Sequence, residues 1–363
     1  MSLRFWLPAT LVIAAIAGAC GGGDGGTPDY SASGPFDVGV TFLTMEGGRP
    51  VDVWYPAAST GKIADQFTHN LNDPWPDSIR DKVPQVADIV VDAYVDVQAS
   101  GAGPFPVILE SHGFASTRRD GSLNHRQLAS WGFVVIAPEH FERNRATIVG
   151  QPVEFVEMES VDVLLGALEL VLQESLREGS ILEGTVDGER IAVDGVSAGG
   201  RAALELAADP RIGAVVARAP AGTEIPSGGS PVMIIASDRD VAVELEDVRT
   251  LYGELPTPRS LAVILDGGHN TFTDACAQIR AEGGLDVEAL AEATGFPAEL
   301  LEFGNNGCTD EYVDPAIVQP AISHLQVAHI RWALGIDGND DALAESHIEA
   351  TFPGLFLDYT HEP

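Results

Sequence analysis

Six short runs of consecutive apolar residues constrain most strongly what this chain can fold into. Such runs are typical of strands in a parallel sheet buried on both faces, since a half-exposed strand would alternate apolar and polar residues. Patterns with helical spacing separate most of them. This predicts an α/β fold with a mostly parallel central sheet and helices on both faces. The runs, of which the last is expected to be the final strand, are residues 104–110, 133–137, 191–193, 212–217, 231–236 and 261–265.

The remaining segments are predicted to complete a single domain over residues 36–363. Residues 38–56 look like two strands joined by a Glu-Gly-Gly turn, which would add antiparallel strands at the N-terminal edge of the sheet. Two stretches do not fit the alternation of strands and helices, and we expect insertions near residues 60–102 and 275–313. A closing helix is predicted over residues 314–335.

The first 35 residues are predicted to lie outside this domain. An apolar run over residues 5–19 is short for a membrane span and looks like a signal peptide. It ends at Ala17-Gly-Ala-Cys20, which resembles the lipobox of bacterial lipoproteins. We therefore expect a signal peptide over residues 1–19, a lipidated Cys20 and a flexible glycine-rich tether over residues 20–35. The protein would be exported and anchored to a bacterial membrane, on the periplasmic or cell-surface side. The alternative is an ordinary secretory signal with an incidental cysteine.

The acidity of the chain restricts its partners. Its 20 Lys and Arg residues stand against 54 Asp and Glu residues, for a net charge of −34. Such a surface repels nucleic acid and anionic headgroups, so we expect no nucleic-acid partner. The sequence contains no Cys/His cluster with zinc spacing and no glycine-rich loop with a lysine. We therefore expect neither a metal nor a cofactor.

Two cysteines remain once Cys20 is set aside. Cys276 and Cys308 lie about 30 residues apart in the second predicted insertion. An exported protein folds in an oxidising compartment, so we expect a disulfide between them. The alternative is two buried free thiols.

A serine between glycines gives the clearest chemical signal. Gly195-Val-Ser197-Ala-Gly199 follows a buried strand and precedes a helical pattern. A sharp strand-to-helix turn would expose the serine above the sheet, and small residues on both sides would avoid clashes with the neighbouring elements. The following helix would aim its N-terminal N–H groups at a forming oxyanion. Ser197 is therefore the candidate nucleophile.

A serine nucleophile needs a base and an orienting carboxylate. His269 directly follows the last predicted strand, where the base is expected after a serine at such a turn. The strand over residues 231–236 leads into Asp238 and Asp240, both within reach of the histidine. Asp240 is favoured because it lies further along the loop that reaches back, but Asp238 remains open.

Two backbone N–H groups would complete an oxyanion hole. One belongs to Ala198, the residue after the nucleophile. The other is expected from Phe114 in the loop Ser111-His112-Gly113-Phe114. The ring of His112 is expected to brace this loop rather than to act in catalysis.

These motifs together resemble the α/β-hydrolases, and within them the platelet-activating-factor acetylhydrolases and dienelactone-hydrolase-like esterases. The resemblance covers roughly residues 36–274 and the closing helix. It implies hydrolysis of carboxylic esters without a metal or organic cofactor, on a small-molecule or lipid ester, with lipid esters bearing acetyl or other short chains as one possibility. Ser197, where dienelactone hydrolases have cysteine, favours the esterase or lipase group. The alternatives are a serine hydrolase of polyesters or peptides, and an inactive surface-binding lipoprotein of the same fold.

Overall fold

The computed structural model describes residues 26–59, 65–70, 75, 80–149, 154–224, 228–281, 284–295 and 301–363. The strands are β1 (Asp37–Thr44), β2 (Pro50–Ala57), β3 (Gln66–His69), β4 (Ile89–Val95), β5 (Phe105–Ser111), β6 (Val134–Pro138), β7 (Val186–Val196), β8 (Ile212–Arg218), β9 (Val232–Ser237), β10 (Arg259–Ile264) and β11 (Phe356–Glu362). The α-helices are α1 (Ser122–Ser130), α2 (Arg145–Ile148), α3 (Ser160–Leu176), α4 (Ala198–Leu206), α5 (Leu245–Glu254), α6 (Ala275–Ile279), α7 (Val287–Thr294), α8 (Leu301–Asn305), α9 (Pro315–Ala333) and α10 (Glu345–Thr351), with 3₁₀ turns at His269–Phe272 and Asp341–Leu343.

All these strands form one sheet, in the order β11-β10-β9-β8-β7-β5-β6-β2-β1-β4-β3. The six strands from β10 to β6 run parallel to one another. The N-terminal hairpin of β1 and β2 joins them antiparallel through β2 and β6. The predicted fold class is therefore correct, because the six apolar runs are the six parallel strands.

The continuous apolar runs follow from burial on both faces of the sheet. In β5, Val107 and Leu109 face a core layer beneath α3, α4 and α5, while Ile108 faces the layer beneath α1 and α9. All three side chains are fully buried. Successive residues of a strand point to opposite faces, so a polar residue at any of these positions would be buried in one layer or the other.

Three strands lie where the sequence indicated none. The stretch 60–102, expected to be irregular, contributes β3 and β4. The last strand is β11, which pairs antiparallel with β10, so the prediction that residues 261–265 form the final strand was wrong. β4 alternates buried and exposed residues and β11 is half-exposed along its length. Strands at the margins of a sheet carry polar residues and lack the apolar run that revealed the central ones.

The ends of the domain differ in part from expectation. Residues 1–25, with the predicted signal peptide and Cys20, lie outside the described residues. The second part of the predicted tether packs on the domain: Tyr30 is buried against the Trp131 ring, and the Gly34 amide donates to Ser130 Oγ at 2.8 Å. The closing helix is α9, capped by Asp314. Within the ranges given above, every helix is too short or too polar to cross a bilayer.

Candidate active site

Ser197 stands at the sharp turn between β7 and α4. Its backbone has φ 57° and ψ −119°, a left-handed conformation that costs a non-glycine residue free energy. The flanking glycines allow the turn, because a Cβ on Gly195 would overlap the Gly199 carbonyl, and one on Gly199 would overlap the Ser111 carbonyl. The two glycines therefore allow neighbouring backbone segments to approach closely, and the backbone strain is confined to the serine.

Backbone hydrogen bonds hold the turn in place. The Ser197 amide donates to the Arg218 carbonyl at 2.8 Å, and its own carbonyl accepts from the Ala221 amide at 3.1 Å. The Arg218 side chain is buried and donates to Asp194 Oδ1 at 2.9 Å. It also donates to the carbonyl of Phe272, in the 3₁₀ turn that begins at His269, at 3.1 Å. Arg218 thus links the two turns, because its backbone carbonyl binds the serine turn and its guanidinium binds the histidine turn.

His269 contacts one of the two candidate carboxylates. Its Nδ1 lies 2.7 Å from Asp240 Oδ2, and both side chains are almost completely buried. The other carboxylate oxygen, Oδ1, accepts from the amides of Ala242 at 2.8 Å and Val243 at 2.9 Å. Both oxygens of Asp240 are therefore held, and one of them is directed at the imidazole.

Asp238 is placed differently. Its amide donates to the Ile264 carbonyl, and its buried Oδ1 has no partner among the described residues. Burial, and then the charge of nearby Asp266, raise the pKa of Asp238. Of the two candidates left open by the sequence, the geometry sets Asp240 against the histidine.

Ser197 and His269 line the same cavity. Within the described part of the chain, no hydrogen bond joins Ser197 Oγ to the ring. Such contacts are often long without substrate and shorten when the reacting complex forms. Ser197 itself is 7% exposed, so only a molecule entering this cavity reaches it.

The predicted oxyanion loop lies beside the serine. A Cβ on Gly113 would sit 3.3 Å from Ser197 Cβ, so the absence of a side chain at Gly113 leaves room beside the serine. Neither the Phe114 amide nor the Ala198 amide donates to another group of the described chain. Free N–H groups at these two positions are what an oxyanion hole requires.

The His112 ring braces this loop. Its Nδ1 donates to the Gly113 carbonyl at 2.9 Å, and its Nε2 accepts from the His140 amide at 2.9 Å. One donor and one acceptor define a neutral imidazole. Burial favours that form, because it lowers the pKa of His112.

A mostly apolar cavity surrounds the site. The centre of a water molecule can reach about 110 Å³ of it, and it is partly open to solvent. One wall comes from the sheet and the oxyanion loop; the other comes from the segment between Cys276 and Cys308, here named the cap segment. The predicted disulfide is present, with a Cα–Cα distance of 4.7 Å. The apolar side chains that the cap segment contributes are Ile279, Leu285, Val287, Leu290, Ala291 and Phe303.

The cap segment also reaches the histidine. The Phe303 ring lies 4.8 Å from the His269 ring, centre to centre. The buried side chain of Asn306 accepts from the His269 amide at 2.5 Å. Neither contact is visible in the sequence, because both depend on how a 32-residue excursion folds back.

A second serine, histidine and aspartate cluster has a different character. Ser122 Oγ lies 2.8 Å from His69 Nε2 and donates to Asp274 Oδ2 at 2.6 Å. Asp274 also accepts from the Leu123 amide at 3.2 Å, so it satisfies the N-terminus of α1. Ser122 is fully buried and directs its proton at a carboxylate. The cluster therefore acts as a helix cap that ties α1 to Asp274, two residues before Cys276.

Within the described residues, no group of three or more His, Cys, Asp or Glu side chains is placed to hold a metal ion.

The sheet and the turn that carries Ser197 define an α/β-hydrolase. The family described as "PETase: PET hydrolase-like" matches residues 93–283, just over half of the chain. The chain belongs to that family. The match begins in β4 and ends inside the cap segment, so it includes Ser197, Asp240 and His269.

Two curated plant proteins are also similar to this chain. Chlorophyllase-1, chloroplastic, from Citrus sinensis is 28% identical over 181 residues, which cover 50% of this chain and 52% of the relative. Chlorophyllase type 0 from Chenopodium album is 36% identical over 107 residues, or 29% of each protein. The chain thus spans about half or less of the curated relatives it matches. The narrower resemblance to acetylhydrolases and dienelactone-hydrolase-like esterases stays a prediction.

Proposed function

We propose that the protein is a serine hydrolase of carboxylic esters that works through an acyl-enzyme. The observation that carries this proposal is the 2.7 Å contact between His269 Nδ1 and Asp240 Oδ2, in the cavity that Ser197 also lines. This contact leaves Nε2 as the ring nitrogen available to the serine. A carboxylate that fixes the tautomer and stabilises the imidazolium is the third member a serine nucleophile needs.

The reaction would proceed in two halves. Ser197 Oγ attacks the ester carbonyl while His269 Nε2 takes its proton, and the amides of Phe114 and Ala198 donate to the tetrahedral oxyanion. The C–O bond to the alcohol breaks as His269 returns the proton to the leaving oxygen. Water then attacks the acyl-enzyme, with His269 accepting its proton and returning it to Ser197 as the acid departs.

The cavity supports an uncharged ester with a sizeable apolar group. Its walls are mostly apolar, and the molecule's negative charge opposes the approach of anionic substrates. A small-molecule or lipid ester meets these requirements. The family description favours PET as a second candidate, and the open side of the cavity would admit one segment of a chain.

Export and lipid anchoring through Cys20 remain part of the proposal. The disulfide supports them, since disulfides persist mainly in oxidising compartments.

Hydrolysis of p-nitrophenyl esters from acetyl to palmitoyl tests the function, with wild type beside Ser197→Ala. We expect wild type to cleave them and the variant to lose about 10⁴-fold or more in kcat, because the nucleophile is gone. Ser122→Ala is the matched control: it removes the serine of the second cluster and should keep activity within a few-fold. Activity that survives Ser197→Ala but not Ser122→Ala would contradict the assignment.

A further inference from the structure

We infer that Asn306 is a positioning residue that fixes the aspartate loop against the histidine loop. This inference rests on the proposed function, since it concerns how Asp240 and His269 are kept in register. Asn306 belongs to the cap segment, two residues before Cys308. The cap segment therefore supplies part of the support for the catalytic pair as well as a wall of the cavity.

The side-chain amide of Asn306 spans both loops. Its Oδ1 accepts from the amides of His269 at 2.5 Å and Val241 at 3.3 Å. Its Nδ2 donates to the Arg239 carbonyl at 3.0 Å. Arg239 and Val241 are the two neighbours of Asp240, so one amide grips the backbone on both sides of the carboxylate and the backbone of the histidine.

The amide has no capacity left over. The second Nδ2 proton goes to the Tyr312 hydroxyl at 2.8 Å, so both donors and both acceptor positions are used. The side chain is only 1% exposed, so water cannot replace a lost partner. We name the Asn306 side chain with these four partners the Asn306 clasp.

The backbone around the clasp is equally confined. The Asn306 carbonyl accepts from the Asn270 amide at 2.9 Å. Gly307 adopts φ 95°, and a Cβ there would come within 2.8 Å of Thr271 Oγ1. A Cβ on Gly268 would overlap the backbone of Gly307 in turn. The cap segment thus meets the histidine turn backbone to backbone.

The Asn306 clasp restrains the relative position of the two loops, which the single Asp240–His269 contact does not restrain by itself. The Asp240 carboxylate is oriented within its own loop by two backbone amides, which do not fix that loop relative to His269. One backbone hydrogen bond, from the Arg239 amide to the Gly267 carbonyl at 3.1 Å, ties the two loops before the carboxylate. The Asn306 clasp adds the ties at the His269 amide and after the carboxylate. A displacement of about 1 Å between reacting groups is enough to cost about 100-fold in rate. Loss of the clasp should therefore slow the chemistry and leave substrate binding largely intact.

Substitutions at Asn306 test this with p-nitrophenyl butyrate as substrate. Asn306→Leu removes all four hydrogen bonds at similar volume, and we expect kcat to fall about 100-fold with KM within about threefold. Asn306→Asp keeps an acceptor for the His269 and Val241 amides but sets a buried carboxylate oxygen against the Arg239 carbonyl, so we expect it to lower kcat as well. Tyr312→Phe keeps three of the four hydrogen bonds, so we expect the smallest fall in kcat. It still tests the inference if Asn306→Leu does not fold.

Tyr359→Phe is the matched control for stability. It removes another hydrogen bond from a side chain to the backbone, 2.7 Å to the Leu343 carbonyl at the far margin of the sheet. It should leave kcat unchanged. Titration with a p-nitrophenyl phosphonate counts competent active sites, and we expect full stoichiometry in both Asn306 variants. A loss explained by fewer titratable sites would overturn the inference in favour of a folding role.

A double-mutant cycle separates action through the catalytic pair from a general effect. In the Asp240→Asn background, Asn306→Leu should cost less than about threefold, because the interaction it supports is already lost. An equal loss in both backgrounds would overturn the inference, as would wild-type kcat in Asn306→Leu. A wild type that neither cleaves esters nor reacts with the phosphonate would instead overturn the proposed function itself.

Discussion

At the scale of single residues, the site depends on which carboxylate faces His269. Asp240 and Asp238 are two residues apart, and the sequence favoured the former only by its position along the loop. We expect Asp240→Asn to lower kcat about 10⁴-fold. The asparagine amide would favour the wrong tautomer of the His269 ring and, being uncharged, would not stabilise the imidazolium that forms during the reaction. Asp238→Asn should stay within a few-fold of wild type. Ester hydrolysis by both variants under saturating substrate measures the difference; a larger loss from Asp238→Asn would reverse the assignment.

Sequence reasoning reached those candidate residues whose immediate neighbours carry a recognisable pattern. Ser197 lies between glycines at a strand end and His269 follows a strand, so local context made both of them candidates. Asn306 was not identified, because its partners lie at residues 239, 241, 269 and 312 and only the folded cap segment brings them together. An asparagine next to a glycine predicts a turn and carries no sign of such a role.

At the scale of elements, the cap segment links stability to the shape of the cavity. Its disulfide closes a loop of about 30 residues, for which chain entropy gives about 4 kcal/mol. We expect the variant with both Cys276→Ser and Cys308→Ser to unfold at a lower temperature and to lose kcat/KM, since the apolar wall and Asn306 both belong to the freed segment. Thermal unfolding and ester hydrolysis check this, with wild type under reducing conditions as the comparison. An unchanged kcat/KM in the double variant would show that packing alone keeps the cap segment in position.

The strands could be predicted from the sequence where their residues are buried on both faces of the sheet. β5 and β6 are buried throughout, and the continuous apolar run revealed both. β4 and β11 are partly exposed, and the residues facing solvent broke the pattern. Central strands are specified by hydrophobicity, which the sequence displays, whereas marginal strands are specified by pairing, which it does not.

At the scale of the whole molecule, several buried histidines make stability depend on pH. Burial lowers the pKa of His112, His140, His324 and His329, the last to about 4. A histidine in the unfolded chain takes up its proton near pH 6.5. Between these values the unfolded state binds more protons than the folded state, so the free energy of unfolding falls as the pH falls from about 6.5 to about 4.

His329→Gln should reduce this dependence. Glutamine retains a donor for the Pro231 carbonyl, which His329 Nε2 contacts at 3.3 Å, but does not titrate. A lowering from 6.5 to about 4 corresponds to about 3 kcal/mol lost across that window in wild type and spared in the variant. Urea unfolding at pH 7 and pH 4.5, with the disulfide intact, measures the two slopes. If the free energy of unfolding changes with pH equally in wild type and His329→Gln, then His329 has the same pKa in the folded and the unfolded state, which would contradict the prediction.

The two cysteines bring the ends of the cap segment within 4.7 Å of each other at the Cα atoms. An excursion that leaves and returns at one point can be lengthened, shortened or exchanged without moving the strands beneath it. Ser197, Asp240 and His269 lie outside it, while much of the cavity's apolar wall lies within it. The three candidate catalytic residues and the apolar wall that would contact the substrate are thus carried by different parts of the chain. A graft that retained the two cysteines and Asn306 would be the natural way to give this centre a different ester.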